Sequence, residues 1–236
     1  MTLSIDWRPP CAALALLALA SVSVGGTFNY GDYAGSAPGQ ADFLNVREES
    51  LTDPGPLFGS PARVGNALTF SPVSFAAAAQ NGSQDVTAGT LRLDIDAGAG
   101  YLLEEVTIQE FGDYLLAGGG TAATFAQVAG TVTIEALDGP ETIIADLLAA
   151  PTPPYALPAD LGGGTWTATK TVDLSGLGFR RVSLSFADEL SAESEAGTTA
   201  FIEKKDISGL LIVVPEPASA ALIGVGACLG LLRRRK

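Results

Sequence analysis

The sequence predicts an all-β fold, an antiparallel β-sandwich of the jelly-roll type. Apolar and polar residues alternate with a period of two in several segments of the chain. Turn-forming residues separate these segments, and helical periodicity occurs in one short stretch only. Strands with one apolar face must bury those faces against each other, and two packed sheets achieve this.

The first 20 residues have the features of a signal peptide. Arg8 and the amino terminus supply positive charge, and an apolar run follows at 11–19. The Ala-Leu-Ala motif at 18–20 has the small-x-small form that a signal peptidase recognises, which predicts cleavage between Ala20 and Ser21. We therefore expect export, with signal peptidase as a partner. The alternative is an N-terminal anchor or a buried helix.

Residues 21–213 are predicted to form the sandwich. In "TLRLDID", which begins at Thr90, leucine and isoleucine alternate with charged residues, and "TVTIEAL" and "RVSLSFADEL" alternate in the same way. Leu102 is predicted to begin a further strand and to share a face with Val106 and Ile108. The stretch "DISGLLIVV" is almost continuously apolar, as expected for a strand buried on both sides.

One segment, 141–150, is predicted to be helical. Ile143, Leu147 and Leu148 would lie on one side of this helix, and "PTPP" directly after it would end it. Elsewhere "DPGP", "NGSQD", "DAGAG", "DGP" and two "GGG" runs predict turns between strands. No repeat or second domain is indicated.

The composition excludes several classes of function. The chain has no histidine, which excludes Ser-His-Asp catalysis and His-ligated zinc. Cys11 and Cys228 both lie in terminal apolar segments, so the domain between them has no thiol for a disulfide or a metal. Between Ser21 and Pro217 there are 8 Lys+Arg and 25 Asp+Glu residues, a net charge of −17. This charge repels phosphate backbones and argues against a nucleic-acid partner.

The C-terminal segment 214–236, "VPEPASAALIGVGACLGLLRRRK", combines three features. Pro215 and Pro217 keep the chain between them extended, and residues 218–232 form an apolar run. Four basic residues follow it: Arg233, Arg234, Arg235 and Lys236. Because basic flanks stay on the cytoplasmic side, this order predicts a single transmembrane helix with the domain outside.

This order resembles the PEP-CTERM sorting signal of bacterial proteins that are processed by an exosortase. The resemblance implies recognition of Pro215, Glu216 and Pro217 by this membrane-embedded cysteine-type transpeptidase, followed by removal of the helix. It also implies a Gram-negative host that makes exopolysaccharide. The mature protein would then be released or attached at the cell surface or in the extracellular matrix. The alternative is a plain C-terminal tail anchor.

A second and weaker resemblance concerns the body of the chain. The stretches "FLNVREESLTDPGPLFGSPARVGNALTFSPVSFAA" and "FGDYLLAGGGTAAT" are similar to a globular type that recurs among such sorted proteins. This similarity implies an extracellular β domain and no particular chemistry.

Asp94 and Asp96 are candidate calcium ligands. They share one face of a strand, and the turn "DAGAG" after them offers carbonyl oxygens. No EF-hand pattern accompanies them. A structural calcium ion is therefore weighed against two solvated aspartates, and no other cofactor is expected.

Carboxylates are the plentiful reactive groups, and Glu104, Glu105, Glu110 and Asp113 crowd one region. Glycoside hydrolysis needs two carboxyl groups on opposite sides of a sugar bond. However, the adjacent Glu104 and Glu105 should point to opposite faces of a strand. Glu104 would then lie on the apolar face beside Val106 or at the end of the strand.

Aromatic rings are the usual platforms for sugars, and the candidates here are Tyr33, Tyr101, Tyr114, Tyr155 and Trp166. The alternation around Trp166 places its side chain with apolar neighbours, which favours packing in the core.

The sequence favours a non-enzymatic exported protein, structural or weakly glycan-binding in the exopolysaccharide matrix. The alternatives are a carboxylate-dependent glycosidase that acts on this polysaccharide and a calcium-dependent adhesin.

Overall fold

The computed structural model describes residues 25–37 and 39–205, and the backbone alone of 210–213. These residues form strands, turns and loops, with no helix among them. The strands are β1 (Thr27–Tyr33), β2 (Asp42–Ser50), β3 (Ala62–Val64), β4 (Ala67–Phe70), β5 (Ala76–Gln80), β6 (Gln84–Asp96), β7 (Glu105–Ala117), β8 (Phe125–Ala136), β9 (Thr142–Leu147), β10 (Ala149–Ala150), β11 (Tyr155–Ala156), β12 (Gly164–Asp173), β13 (Arg181–Glu193), β14 (Thr199–Lys204) and β15 (Leu210–Val213).

The strands form two antiparallel sheets. The first, which we call sheet A, has the order β1-β2-β6-β13-β8-β11, with β9 also paired to β8. The second, sheet B, has the order β10-β12-β7-β15-β4-β3, and β14 pairs with both β7 and β5. The predicted all-β class with antiparallel sheets is confirmed, and the arrangement is consistent with a β-sandwich.

Eight of these strands pair in a nested way. The pairs are β8 with β9, β7 with β12, β6 with β13, and β5 with β14. Along the chain β5, β6, β7 and β8 alternate between the sheets, and so do β12, β13 and β14. The nested pairs thus form one long hairpin whose successive strands lie in alternate sheets.

The core lies between the sheets and contains the inward faces of the alternating segments. Val182, Leu184 and Phe186 of β13 are fully buried, as the alternation predicted. Trp166 is 1% exposed, so the prediction that it packs in the core is also confirmed. The ring of Phe58 makes edge contacts with three further phenylalanines at centroid distances of 5.1 to 6.5 Å.

The predicted helix at 141–150 is wrong, because this segment forms β9 and β10. Thr142–Leu147 pairs with β8 in sheet A, and Ala149–Ala150 pairs with β12 in sheet B. Ile143 and Leu147 point to the interior, whereas Ile144 is 68% exposed. Alternation with a period of two and the β-branched residues in the segment favour a strand. The apolar residues also fit one side of a helix, so periodicity alone was ambiguous.

The predicted start of β7 at Leu102 is also wrong. The strand begins at Glu105, and the four residues before it form a loop. In this loop Leu103 is buried and Leu102 is 48% exposed. The amide of Leu103 donates to the carbonyl of Phe179 at 2.7 Å, which holds the loop against the β12–β13 connection. The prediction that Val106 and Ile108 share the inner face of this strand is confirmed.

The predicted strand in "DISGLLIVV" is confirmed for Leu210–Val213. Its backbone pairs with β4 on one side and with β7 on the other, so β15 is an inner strand of sheet B.

At Gly112 the backbone of β14 and the ring of Trp166 both come close to the backbone of β7. It lies opposite Trp166 in the pairing of β7 with β12, and opposite Lys204 in the pairing of β7 with β14. A Cβ atom at this position would lie 2.1 Å from the carbonyl oxygen of Glu203 and 2.4 Å from Cε2 of Trp166. Only a residue without a side chain fits between these two neighbours.

Gly112→Ala should therefore lower the free energy of unfolding by about 3 kcal/mol, because the backbone of β14 or the indole ring must move. Urea denaturation followed by tryptophan fluorescence measures the change. Gly119→Ala is the matched control, since a Cβ atom there meets nothing within 4 Å. An unfolding midpoint of Gly112→Ala equal to that of the control would contradict this account.

Candidate functional site

Three inner strands each carry one charged residue on the face that points into the core. Glu110 follows Val106 and Ile108 in the alternation of β7, and Asp188 lies in phase with the buried residues of β13. Lys204 has the corresponding place at the end of β14. All three side chains are buried. Because β7 and β14 belong to sheet B and β13 to sheet A, the charges meet between the sheets.

The ammonium group of Lys204 is the centre of this cluster. Its Nζ contacts Oε1 of Glu110 and Oδ2 of Asp188 as ion pairs, and the three side chains are at most 1% exposed. Oε2 of Glu110 and Oδ1 of Asp188 have no hydrogen-bond partner among the described residues. The cluster thus holds one cation, two carboxyl groups and unsatisfied acceptor atoms in a dry environment.

Aromatic rings enclose the ammonium group on the remaining sides. The distances from Nζ of Lys204 to the ring centroids are 5.0 Å for Phe75, 5.3 Å for Trp166 and 5.9 Å for Phe186. Ring faces attract a cation, and this attraction is stronger where water is excluded. The rings therefore offset part of the cost of removing the charge from water.

Glycines lie opposite Asp188 on both neighbouring strands of sheet A. The residues directly opposite Asp188 in sheet A are Gly89 on β6 and Gly130 on β8. A Cβ atom on Gly130 would lie 3.1 Å from the ring of Phe186 and 3.3 Å from Leu147. Neither neighbouring strand therefore places a side chain directly opposite Asp188.

Burial and the contacts with opposite charges shift the pKa values of Glu110 and Lys204 in opposite directions. Burial, reinforced by the nearby carboxylate of Asp188, raises the pKa of Glu110 well above its usual range, although Lys204 acts in the opposite direction. Burial alone would lower the pKa of Lys204, but Asp188 and Glu110 together outweigh it and raise that pKa. Burial therefore favours the protonated form of Glu110, whereas the two carboxyl groups favour the charged form of Lys204.

An open groove lies on the outer face of sheet A. Small side chains form its floor on three neighbouring strands, and Leu51, Leu148 and Pro153 form its apolar walls. Asp146 and Glu189 also border it, and its volume is about 600 Å³. The floor residues are Ala88 and Thr90 of β6, Ala129 and Thr131 of β8, and Ala187 of β13. Aromatic side chains are absent from this lining in the described part of the chain.

The structure does not bring the four crowded carboxylates into one cleft. Glu104 is exposed and precedes β7, so the expectation of a place at the strand's end is confirmed. Glu110 points into the core, whereas Asp113 lies on the outer face of sheet B. There Lys205 pairs with Asp113 at 3.0 Å and also with Glu203.

Asp94 and Asp96 bind protein groups. Oδ2 of Asp94 accepts from the side-chain amide of Asn45 at 2.8 Å. Asp96 forms ion pairs with Arg180 at 3.4 Å and Arg181 at 3.2 Å. Across residues 25–37 and 39–205, no group of three or more His, Cys, Asp or Glu side chains is placed to hold a metal ion. The calcium site remains a prediction.

The residues of the terminal signals lie outside the described part of the chain. They are Ala20, Ser21, Pro215, Glu216, Pro217, Arg233, Arg234, Arg235 and Lys236. The apolar run at 218–232 lies outside it as well. Within the described ranges, no helix has the length and apolar character needed to cross a bilayer.

Glu110→Gln should change the pH dependence of stability. The native state keeps a proton on Glu110 that the unfolded chain releases above about pH 4.3. The native state then binds more protons than the unfolded state, so this group's contribution is fully present below that pH. It is lost as the pH rises toward the raised pKa, at up to about 1.4 kcal/mol per pH unit.

Denaturant titrations between about pH 4.5 and pH 8 measure this slope. The variant should show a shallower decline than the wild type, with the exposed Glu135→Gln as the matched control. Parallel curves for wild type and Glu110→Gln would contradict the protonated state of the buried carboxyl group.

Comparisons with known proteins give limited similarity. No family model matches the chain, and no curated protein matches it. The enzymatically active domain of bacteriophage CBA120 tailspike protein 4 is 10% identical over 82% of this chain and 20% of that chain, with a TM-score of 0.25. A mutant of the carbohydrate-binding module CBM29-2 is 11% identical over 81% of this chain and 92% of that chain, with a TM-score of 0.20.

A structure of infectious bursal disease virus, Gx strain, is 11% identical over 90% of this chain and 59% of that chain, with a TM-score of 0.28. The chain thus spans a fifth of the tailspike chain and less than two thirds of the viral chain. At these TM-scores the similarities carry no argument about function.

Proposed function

We propose that the chain is an exported, exosortase-processed protein whose mature domain works without catalysis at the cell surface or in the extracellular polysaccharide matrix. The observation that carries this proposal is the order of features at 214–236. A Pro-Glu-Pro motif, an apolar run and a basic cluster follow each other there. The predicted signal peptide and the acidic, histidine-free body support the same destination.

The groove of sheet A is the surface that we assign to a polysaccharide ligand. Its floor is built from small side chains on three neighbouring strands, which leaves room for an extended polymer. The carboxylates of Asp146 and Glu189 can accept hydrogen bonds from sugar hydroxyls, and the hydroxyl of Thr131 can accept or donate them. Leu148, 77% exposed, offers an apolar contact for the C–H groups of a sugar ring.

The charge of the domain favours a neutral polysaccharide. Residues 21–217 carry a net charge of −17, and the groove itself is bordered by two carboxylates. A polymer of uronic acids would be repelled at low salt. Because no aromatic ring among residues 25–37 and 39–205 lines the groove, we expect weak binding, which becomes useful when several copies bind one long polymer.

The same groove argues for binding over hydrolysis. A general acid in a glycosidase is kept protonated by an apolar enclosure. Asp146 and Glu189 are both exposed to solvent, and Glu110, which is enclosed, lies in the core between the sheets, away from the groove. The carboxyl groups that a sugar can reach are therefore exposed, and the one carboxyl group that burial favours as the protonated acid is out of reach of the sugar.

Processing is tested by the intact mass of the protein recovered from the outer surface and medium of its native host. We expect a species that begins near Ser21 and ends between Pro215 and Pro217. A protein that kept all residues through Lys236 would contradict exosortase processing. Recovery of the full-length chain from the cytoplasm would contradict export as well.

Glycan binding is tested by electrophoresis of the purified domain through gels that contain a neutral β-glucan or a mannan. We expect retardation of the wild type and at least a tenfold loss of affinity for Ala187→Trp, because the indole ring would fill the floor of the groove. Thr169→Trp, on an exposed strand position of sheet B, is the matched control and should bind normally. Retardation of all three proteins to the same degree would contradict the assignment of the groove.

A further inference from the structure

The buried cluster contains a nucleophile, an electrophilic carbon and a proton donor in mutual contact. Nζ of Lys204 contacts a carboxyl oxygen of Asp188 and a carboxyl oxygen of Glu110. Both carboxyl groups therefore contact the same ammonium group. Neither the proposed sorting nor the proposed glycan binding uses these groups. A cluster of this kind is costly to bury, so its presence calls for a specific explanation.

We propose that Lys204 and Asp188 join in an intramolecular isopeptide bond, with Glu110 as the proton donor and acceptor for the condensation. The bond would link β14 of sheet B to β13 of sheet A across the core. The domain has no cysteine between Cys11 and Cys228, so a disulfide cannot supply such a link. An amide bond needs no oxidant, and it can form as soon as the core excludes water.

The atoms of the reaction balance without a co-reactant. The ammonium group of Lys204 first transfers one proton to the carboxylate of Asp188, which leaves a neutral amine and a neutral acid. The lone pair of Nζ then attacks Cγ of Asp188, while the carboxyl proton of Glu110 stabilises the oxygen that gains electron density. The Cγ–OH bond breaks, and a second proton from Nζ leaves with the hydroxyl group as water, relayed by Glu110.

The environment favours the amide over the ion pair. Two charges in an apolar core carry a large desolvation penalty, and condensation removes both of them. The contact of Nζ with Asp188 holds the reacting groups together, which replaces a bimolecular encounter by a unimolecular step. The raised pKa of Glu110 keeps a proton available beside the carbonyl oxygen of Asp188. The rings of Phe75, Trp166 and Phe186 exclude the water that would reverse the reaction.

Asp188 is assigned as the bonded carboxyl group because it contacts Lys204 from the opposite sheet. The raised pKa of Glu110 favours this residue as the proton donor to the tetrahedral intermediate. The linkage to Asp188 also closes a loop between β13 and β14 and joins two sheets. A bond to Glu110 would join neighbouring strands of sheet B only.

Tryptic mapping of the folded, full-length expressed protein tests the bond directly. No Lys or Arg lies between Arg181 and Lys204, so the unmodified chain yields the peptide from Val182 to Lys204. An amide on Nζ of Lys204 blocks cleavage there. The expected product runs from Val182 to Lys205 and is lighter than calculated by the mass of one water molecule. Fragmentation should show no breaks between residues 188 and 204.

Three variants complete the test. Lys204→Arg and Glu110→Gln should both lose the mass deficit, and Lys205→Arg, which changes the neighbouring exposed lysine, should keep it. Circular dichroism establishes that each variant is folded. A wild type that releases only the unmodified peptide ending at Lys204 would overturn the proposal. So would a product in which Lys204 is joined to the Leu93–Lys170 peptide, which contains Glu110.

Discussion

The contact of Lys204 with Glu110 and Asp188 constrains the rest of the sandwich. Three strands from two sheets must each present one particular residue to the same point in the core. A register shift of one residue in any of them would move its charge to the outer face and leave the others uncompensated in an apolar environment. The cluster thus favours one register of β7, β13 and β14 over the registers that are shifted by one residue. We infer that specificity of register, and not net stability, is its first contribution.

The nested strand pairs explain how distant residues reach this point. Glu110 and Lys204 are 94 positions apart in the chain, yet β7 and β14 are direct neighbours in sheet B. β13 faces them because successive strands of the wrapped hairpin change sheets. Gly112 lies where the backbone of β14 and the ring of Trp166 come close to β7, so the interior accommodates the indole ring. Topology and glycine positions together create the site.

The sequence predicted much of the fold because alternation with a period of two reports directly which face of a strand is buried. It failed where apolar residues fit both periods, as at 141–150, and where a loop buries a single residue such as Leu103. The signal for the cluster was present, since Glu110, Asp188 and Lys204 all fall in phase with apolar neighbours. The sequence of any one of these strands shows a charged residue at an inward-facing position but not the residue that compensates its charge. The compensation becomes visible when the pairing of the strands is known.

β13 connects the interior to the outer surface. Asp188 points into the cluster, while the residues on either side of it, Ala187 and Glu189, border the groove on the outer face of sheet A. A strand held in register by buried charges presents its outer residues at fixed positions, which a binding surface requires. Changes at Ala187 can therefore alter the groove without touching the core. Changes at Asp188 act on the core and, through the register of β13, on the groove as well.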